Sequence, residues 1–92
     1  MPDFKRLKKI PIVDVCLMLG IDLKPRGKQY RAYCPICDHP SERAFVVTPA
    51  IERYWCFGYC RSGGDGLELY ARMRQLTKKN AARELIKHFN PP

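Results

Sequence analysis

The chain has 92 residues, 46% of them hydrophobic, which is enough for one small domain whose apolar core alone gives little margin of stability. Its 17 lysines and arginines against 9 acids give a formal charge of +8, which favours polyanionic partners. The longest apolar run, residues 13–21, is interrupted by Asp14 and is far too short to cross a bilayer, so no membrane partner is expected.

The first part of the chain predicts a basic segment followed by a helix. No internal repeat or low-complexity linker divides the sequence, so residues 1–92 are predicted to form one domain, with residues 1–10 as a basic arm or a first helical turn. The segment PIVDVCLMLG predicts a helix, because Pro11 suits an early helical position and Gly20 suits the end. Its apolar face contains Ile12, Val15, Cys16 and Leu19.

The middle of the chain predicts a small sheet. After the turn signal KPRG, the segments KQYRAYC, RAFVVT and ERYWCF alternate in polarity, which predicts three short antiparallel strands. In the third segment, alternation places Arg53, Trp55 and Phe57 on one face, opposite Tyr54 and Cys56.

Two helices are predicted after the loop RSGGDG. Asp65 suits the N-cap of LELYARMRQL, and Thr77 suits that of KKNAARELIKHF. Their inward-facing residues are predicted to be Leu67, Tyr70, Ala71 and Leu76 in the first helix, and Ala81, Leu85, Ile86 and Phe89 in the second. The predicted fold class is therefore α+β, with a short antiparallel sheet flanked by an N-terminal helix and two C-terminal helices.

The five cysteines supply the strongest chemical signal. Without an apolar leader that ends in a cleavage site, a reducing cytoplasmic location is expected, where close cysteine pairs usually bind metal. Cys34 and Cys37 form one pair, and Cys56 and Cys60 follow after eighteen intervening residues, a spacing typical of a two-knuckle zinc site. One structural zinc ion bound by four thiolates would bring the net charge from +8 to about +6.

Three features of these cysteines leave alternatives open. His39, two residues after Cys37, competes for one ligand position in a set of three cysteines and one histidine. The second pair is one residue wider than usual, and Gly58 is predicted to supply the permissive backbone that accommodates the extra Tyr59. A Cys-x-x-Cys pair also occurs in oxidoreductases, although the second pair and the lack of a βαβ pattern disfavour a redox enzyme. Cys16 is expected to pack in the core.

In this order, the segments YRAYCPIC, FVV and RYWCFGYCRSGGDGLELY resemble the zinc-binding domain of bacterial-type, DnaG-like DNA primases, including those of mobile elements. The resemblance runs from about Ile12 to Phe89. It implies that Cys34, Cys37, Cys56 and Cys60 are the metal ligands, with Cys37 where most members have histidine. It also implies a module that engages single-stranded template DNA and helps primer initiation, while a separate catalytic domain or subunit transfers nucleotides.

The residues that suit such a DNA surface combine cations for phosphates with aromatic rings for stacking. The candidate contacts are Arg31, Arg43, Arg53, Tyr54, Trp55 and Arg61. Trp55 is equally compatible with a place in the core. The helical cations form either a solvated face or a further contact, and they comprise Arg72, Arg74, Lys78, Lys79, Arg83 and Lys87.

No paired acids suited to two-metal chemistry are present, so the chain is not expected to be an enzyme on its own. The alternative function is a zinc-ribbon adaptor that binds a helicase or polymerase with little DNA affinity. Binding of single-stranded oligonucleotides at two salt concentrations separates these hypotheses, because phosphate contacts weaken steeply with salt.

Overall fold

The computed structural model describes residues 10–89, and these residues fold into an α+β arrangement, as predicted. Residues 1–9, which contain most of the predicted basic arm, lie outside the described residues. The elements in chain order are helix α1 (Ile12–Met18), strands β1 (Lys24–Arg26), β2 (Gln29–Ala32) and β3 (Phe45–Thr48), a 3-10 turn (Pro49–Ile51), strands β4 (Arg53–Cys56) and β5 (Gly63–Gly64), and helices α2 (Gly66–Arg74) and α3 (Lys78–Phe89).

The sheet is an antiparallel meander in the order β1-β2-β3-β4-β5. The three predicted strands form its centre, but the prediction of only three was too few. Strand β1 has the sequence Lys-Pro-Arg and is fully exposed, so it lacks the apolar alternation that marks a strand. Strand β5 consists of two glycines, which carry no side-chain pattern at all.

Helix α1 packs against the sheet with its predicted apolar face, since Ile12, Val15 and Cys16 are all buried. The helix ends at Met18, and Gly20, two residues later, adopts a left-handed φ of 77° that an L side chain would find strained. Its first amide has an unexpected partner, because the Ile12 N–H donates to the Glu52 carboxylate. This bond ties the start of α1 to the turn between β3 and β4.

Both predicted caps of the C-terminal helices are confirmed. Asp65 accepts from the Glu68 amide at 2.8 Å, and Thr77 accepts from the Asn80 amide at 3.2 Å. The predicted buried stripes were partly wrong, because Leu69 and Ala82 are fully buried, whereas Leu67 is only half-buried. Helix α2 contributes Leu69 to one buried cluster and Tyr70 and Ala71 to another, which widens its buried arc beyond a single stripe.

The core has two parts that define the layers of the molecule. Helices α1 and α2 cover one face of the sheet, hereafter the inner face, in a cluster that includes Ile12, Phe45, Tyr54 and Leu69. Helix α3 packs on the other side of α1 and α2 through a second cluster of Val15, Tyr70, Ala71, Ala81 and Leu85. The opposite face of the sheet, the outer face, is therefore left uncovered by these helices. Every helix within residues 10–89 is too short or too polar to span a bilayer.

Candidate metal centre and nucleic-acid interface

The sheet brings the two cysteine pairs together. Cys34 and Cys37 lie in the turn between β2 and β3, while Cys56 ends β4 and Cys60 lies between β4 and β5. Strand β3 pairs with both β2 and β4, and Phe45 stands between Ala32 and Cys56 in register. Because β2 and β4 flank β3 and both end at the same end of the sheet, the two knuckles that follow them meet there.

The four sulfur atoms have the geometry of a tetrahedral zinc site. All four Sγ atoms lie within 4.8 Å of one another. The Cys34–Cys60 Sγ distance is 3.7 Å, and the Cys37–Cys56 Sγ distance is 3.6 Å. A zinc–sulfur bond of about 2.3 Å in a tetrahedron requires sulfur–sulfur edges of about 3.8 Å, so the pocket between the sulfurs matches the ion.

Backbone amides donate hydrogen bonds to two of the four sulfur atoms, which favours the thiolate form. The Ile36 amide donates to Cys34 Sγ at 3.4 Å, and the Gly58 amide donates to Cys56 Sγ at 3.3 Å. In both knuckles the donor is two residues after the first cysteine of the pair. Such bonds stabilise negative sulfur and fix the orientation of each ligand.

The proton affinities of the cluster explain why it suits a divalent cation. Burial would raise the pKa of Cys37, but sulfur hydrogen bonds from Cys34 and Cys60 outweigh it and lower the pKa to about 6. Burial, with the hydrogen bond to Cys37, raises the pKa of Cys60 to about 12, and burial also raises the pKa of Cys34. Cys37 therefore forms a thiolate readily, whereas Cys34 and Cys60 resist deprotonation, because negative sulfur atoms so close together repel one another. A bound Zn²⁺ offsets the repulsion between the thiolates and allows all four to form.

The packing of His39 disfavours it as a ligand. Its Nδ1 accepts from the Ser41 amide at 3.1 Å, and its ring lies against Gly58, where an added Cβ would approach the ring to 2.7 Å. The ligand cluster within residues 10–89 contains the four cysteines and not His39. The structure thus favours the set of four cysteines over the set of three cysteines and one histidine.

The wider second knuckle is accommodated differently from the prediction. Gly58 has no left-handed φ, so its role is to make room for His39. The left-handed residues are instead Asp38, with φ 53°, and Arg61, with φ 51°. Each comes directly after the second cysteine of its knuckle. The extra Tyr59 turns outward, 67% exposed, with its ring centre 4.5 Å from that of His39 in an edge-on arrangement.

Comparison with known proteins agrees with this metal centre. The CHC2 zinc finger family matches residues 4–91. The chain belongs to the CHC2 zinc finger family. It is 37% identical over 81 residues to a DNA primase of Pseudomonas aeruginosa, and 32% identical over 84 residues to one of Helicobacter pylori. These matches cover 88% and 91% of this chain but only 12% and 14% of the two primases.

A solved structure gives the same relationship. The Aquifex aeolicus primase, described by its zinc-binding and RNA polymerase domains, matches with a TM-score of 0.77 and 34% identity. The match covers 89% of this chain and 20% of the Aquifex chain. This CHC2 zinc finger therefore corresponds to a zinc-binding domain of DNA primases and spans a small part of their length.

An arginine of α2 holds the second knuckle of this zinc finger in place. Arg72 donates from one nitrogen to the Tyr54 hydroxyl at 3.1 Å and to Ser62 Oγ at 2.9 Å. The Ser62 carbonyl in turn accepts from the Cys56 amide at 2.9 Å, which closes the base of the knuckle. The hydrogen bond to Tyr54 also raises the pKa of the Arg72 guanidinium, so the cation is permanent. Sequence reasoning missed this role, since Arg72 stood only among the helical cations.

Replacing Arg72 with glutamine is expected to weaken zinc binding by less than the roughly 10–100-fold that follows loss of a direct partner of a ligand, because Arg72 reaches Cys56 only through Ser62. Competition with a chromophoric chelator measures this. Arg74→Gln is the matched control, because Arg74 is an exposed cation on the same helix that lies 5.9 Å from the Tyr70 ring centre and outside the knuckle. Equal zinc affinities of the two variants would contradict a supporting role for Arg72.

Most of the predicted nucleic-acid contacts are solvent-accessible. Arg53 is exposed and Trp55 is 43% exposed, and both lie on the outer face. Arg31 is half-buried and donates from its guanidinium to the Arg43 carbonyl oxygen at 3.1 Å. The Arg43 side chain, before β3, is exposed, as is Arg61 at the end of the second knuckle.

Tyr54 lies away from this group. It is 3% exposed on the inner face, and its ring stacks on Phe45 with the ring centres 5.4 Å apart. Its ring faces are therefore unavailable to a base, and Tyr54 is a core residue rather than a stacking surface. Strand alternation already placed it opposite Trp55, and that pattern was the stronger indication.

The prediction also missed two exposed aromatic residues. Tyr33 is 57% exposed and Phe57 is 56% exposed. Phe57 continues the outer-face series of Arg53 and Trp55, and its ring centre lies 6.3 Å from that of Trp55. The two-residue period of strand β4 had already placed Phe57 on this face, but the candidate contacts did not include it.

Proposed function

We propose that this CHC2 zinc finger binds single-stranded template DNA on the outer face of its sheet and helps a primase to start a primer. The observation that carries the proposal is the row of side chains across β3 on the outer face, in which Arg31 and Trp55 flank the smaller Val46; we call this row and its neighbours the groove. Its floor is Val46, which is only 4% exposed although no helix within residues 10–89 covers this face. Val46 is flanked in register by Arg31 and Trp55, whose larger side chains shield it.

The side chains along the groove include both cations and aromatic rings, the two types that bind single strands. In the neighbouring row toward the open end of the sheet, Thr48 is flanked by Arg53 and accepts from the Gln29 amide group at 3.2 Å. Toward the zinc end, Phe57 pairs through its amide with the Ala44 carbonyl at 2.7 Å. Successive rows on one face of a strand are about 6.8 Å apart, so one extended strand can meet cations and rings in turn.

The zinc ion serves this surface by holding its shape. Four protein ligands leave no coordination position for water, so the ion is structural and not hydrolytic. The knuckles fix the ends of β2, β3 and β4 and thereby the spacing of the groove walls. The chain itself contributes no nucleotide transfer. A catalytic domain or subunit of a primase supplies that step, and the DNA primase relatives support this partnership.

Trp55→Ala is expected to weaken binding of a labelled single-stranded oligonucleotide about 5–150-fold, since stacking of one base is worth about 1–3 kcal/mol. The parent chain is expected to lose affinity as salt rises, with a slope of about −0.7 per phosphate contacted. Fluorescence anisotropy at two salt concentrations measures both effects.

Leu17→Ala is the matched control, because Leu17 is an exposed apolar residue of α1, 61% exposed, that lies away from the outer face. It is expected to bind like the parent chain. If the parent chain binds no oligonucleotide at low salt, the adaptor function, with a helicase or polymerase as partner, replaces this proposal.

A further inference from the structure

Helix α3 carries a second concentration of positive charge, on a different side of the molecule from the groove. The helix packs on α1 and α2 through Ala81 and Leu85, and those helices in turn pack on the inner face of the sheet. Two helical layers therefore separate the far side of α3 from the outer face of the sheet. A ligand on one surface leaves the other surface free.

The exposed side of α3 has a row of cations. Lys79, Arg83 and Lys87 are four residues apart and exposed, and we call them the α3 stripe. At a rise of about 1.5 Å per residue, the stripe is about 12 Å long. The acid of α3, Glu84, is already engaged as the acceptor of the Tyr70 hydroxyl at 2.7 Å. The three positive charges of the stripe exceed the single negative charge of Glu84, so a net positive charge remains for an external anion.

The stripe is unfavourable for the helix that carries it. Like charges four residues apart repel one another, and the positive end of the helix dipole repels Lys78 and Lys79 in the first turn, which contains no acid. Lys87 in the last turn is favoured by the same dipole and by Glu84 three residues earlier, so the uncompensated charge lies at the N-terminal end of the stripe. Binding of phosphates there relieves the repulsion.

The surroundings of the stripe indicate the kind of anion. Of the large hydrophobic side chains that are exposed within residues 10–89, none lies beyond Tyr59. The rings of α3, His88 and the half-buried Phe89, lie together after the last cation of the stripe, with their centres 5.0 Å apart. The stripe itself therefore offers cations without the interleaved rings that a single strand uses, and without an exposed apolar anchor of the kind that dominates protein interfaces. A regular phosphate backbone needs neither. Over about 12 Å, a duplex presents about seven phosphate charges in fixed positions.

We propose that the α3 stripe binds the phosphate backbone of double-stranded nucleic acid, while the outer face of the sheet remains available to a single strand. The stripe contacts phosphates only, so its binding is independent of base sequence and strongly dependent on salt. One domain would in this way contact a duplex and an unpaired strand on opposite sides.

The test removes three charges from either side of the domain. In the stripe variant, Lys79, Arg83 and Lys87 are replaced by glutamine; in the control variant, the same change is made at Lys24, Arg26 and Arg53 of β1 and β4. A labelled blunt duplex is titrated at several salt concentrations. The stripe variant is expected to bind it at least tenfold more weakly, with a log–log salt slope smaller by up to about 2.7, whereas the control variant retains most of the parent affinity.

Equal losses in the two variants would overturn the proposal, because net charge alone would then explain binding. Unchanged duplex affinity in the stripe variant, or no duplex binding by the parent chain at low salt, would overturn it as well. Melting temperature checks the fold, and the stripe variant is expected to melt no lower than the parent. If it does not fold, the three single substitutions replace it, and each must weaken duplex binding.

A second readout separates this proposal from the function of the sheet. Trp55 is the only tryptophan of the chain, so its fluorescence reports on the outer face alone. Saturating duplex is expected to leave that fluorescence, and its change on adding a single strand, as in the free protein. Displacement of the single strand by the duplex would show one shared surface and overturn the proposal. Failure of single-strand binding alone would contradict only the function proposed for the sheet.

Discussion

Removal of zinc by a strong chelator is expected to abolish the cooperative thermal unfolding of the chain. Structural zinc contributes about 10–16 kcal/mol of apparent binding free energy, and a domain of this size has a total stability of about 5–15 kcal/mol. Without the ion, the two turns lose the link through Cys34 and Cys56, and the contact of His39 with Gly58 and Tyr59 is too small to replace it. Calorimetry with and without chelator measures the loss.

Two controls make this result specific. Restoring zinc is expected to restore the transition, whereas magnesium is not, because magnesium prefers oxygen ligands. Cys37→Ser is expected to reproduce the effect of the chelator, while Cys16→Ala is expected to keep a zinc-dependent transition, since Cys16 is buried in the core away from the ligand cluster. A chelator-treated chain with an unchanged transition would contradict a structural ion.

The metal site could be predicted because it depends on spacing along the chain. Two close cysteine pairs on turns can meet only if the strands between them form a hairpin, and the alternation of residues 43–57 predicted that hairpin. The caps Asp65 and Thr77 were equally local, since each involves an amide three residues later. Features that depend on residues close together in the sequence were therefore predicted correctly.

The remaining features depend on contacts that are distant in sequence. The bond from Ile12 to Glu52 joins residues 40 positions apart, and Arg72 meets Tyr54 across 18 positions. The side of the sheet that faces the helices decides whether Tyr54 or Trp55 is exposed, and strand period alone gives two equivalent choices. Strand β5 is recognised only through its partner β4, because its glycines have no side chains of their own.

Gly63 allows strand β5 to pair closely with β4 beside Trp55 of the outer face. Gly63 pairs with Trp55 in register, and an added Cβ would collide with the Tyr54 carbonyl oxygen and approach the indole to 2.9 Å. The obstructing atom is backbone, so relief requires a shift of β5 against β4. That shift would also strain the Cys56–Ser62 bond that closes the second knuckle.

Gly63→Ala is therefore expected to destabilise the zinc-bound chain by about 3 kcal/mol, which corresponds to a melting temperature about 12–24 °C lower. Gly27→Ala is the matched control. Gly27 has a left-handed φ of 63° but nothing within 4 Å of an added Cβ, so only backbone strain of about 1 kcal/mol is expected there. Thermal melting followed by Trp55 fluorescence measures both variants. Equal decreases in melting temperature in the two variants would mean that β5 moves away from β4 at little cost in free energy. The pairing of β4 with β5 would then be less rigid than its hydrogen bonds indicate.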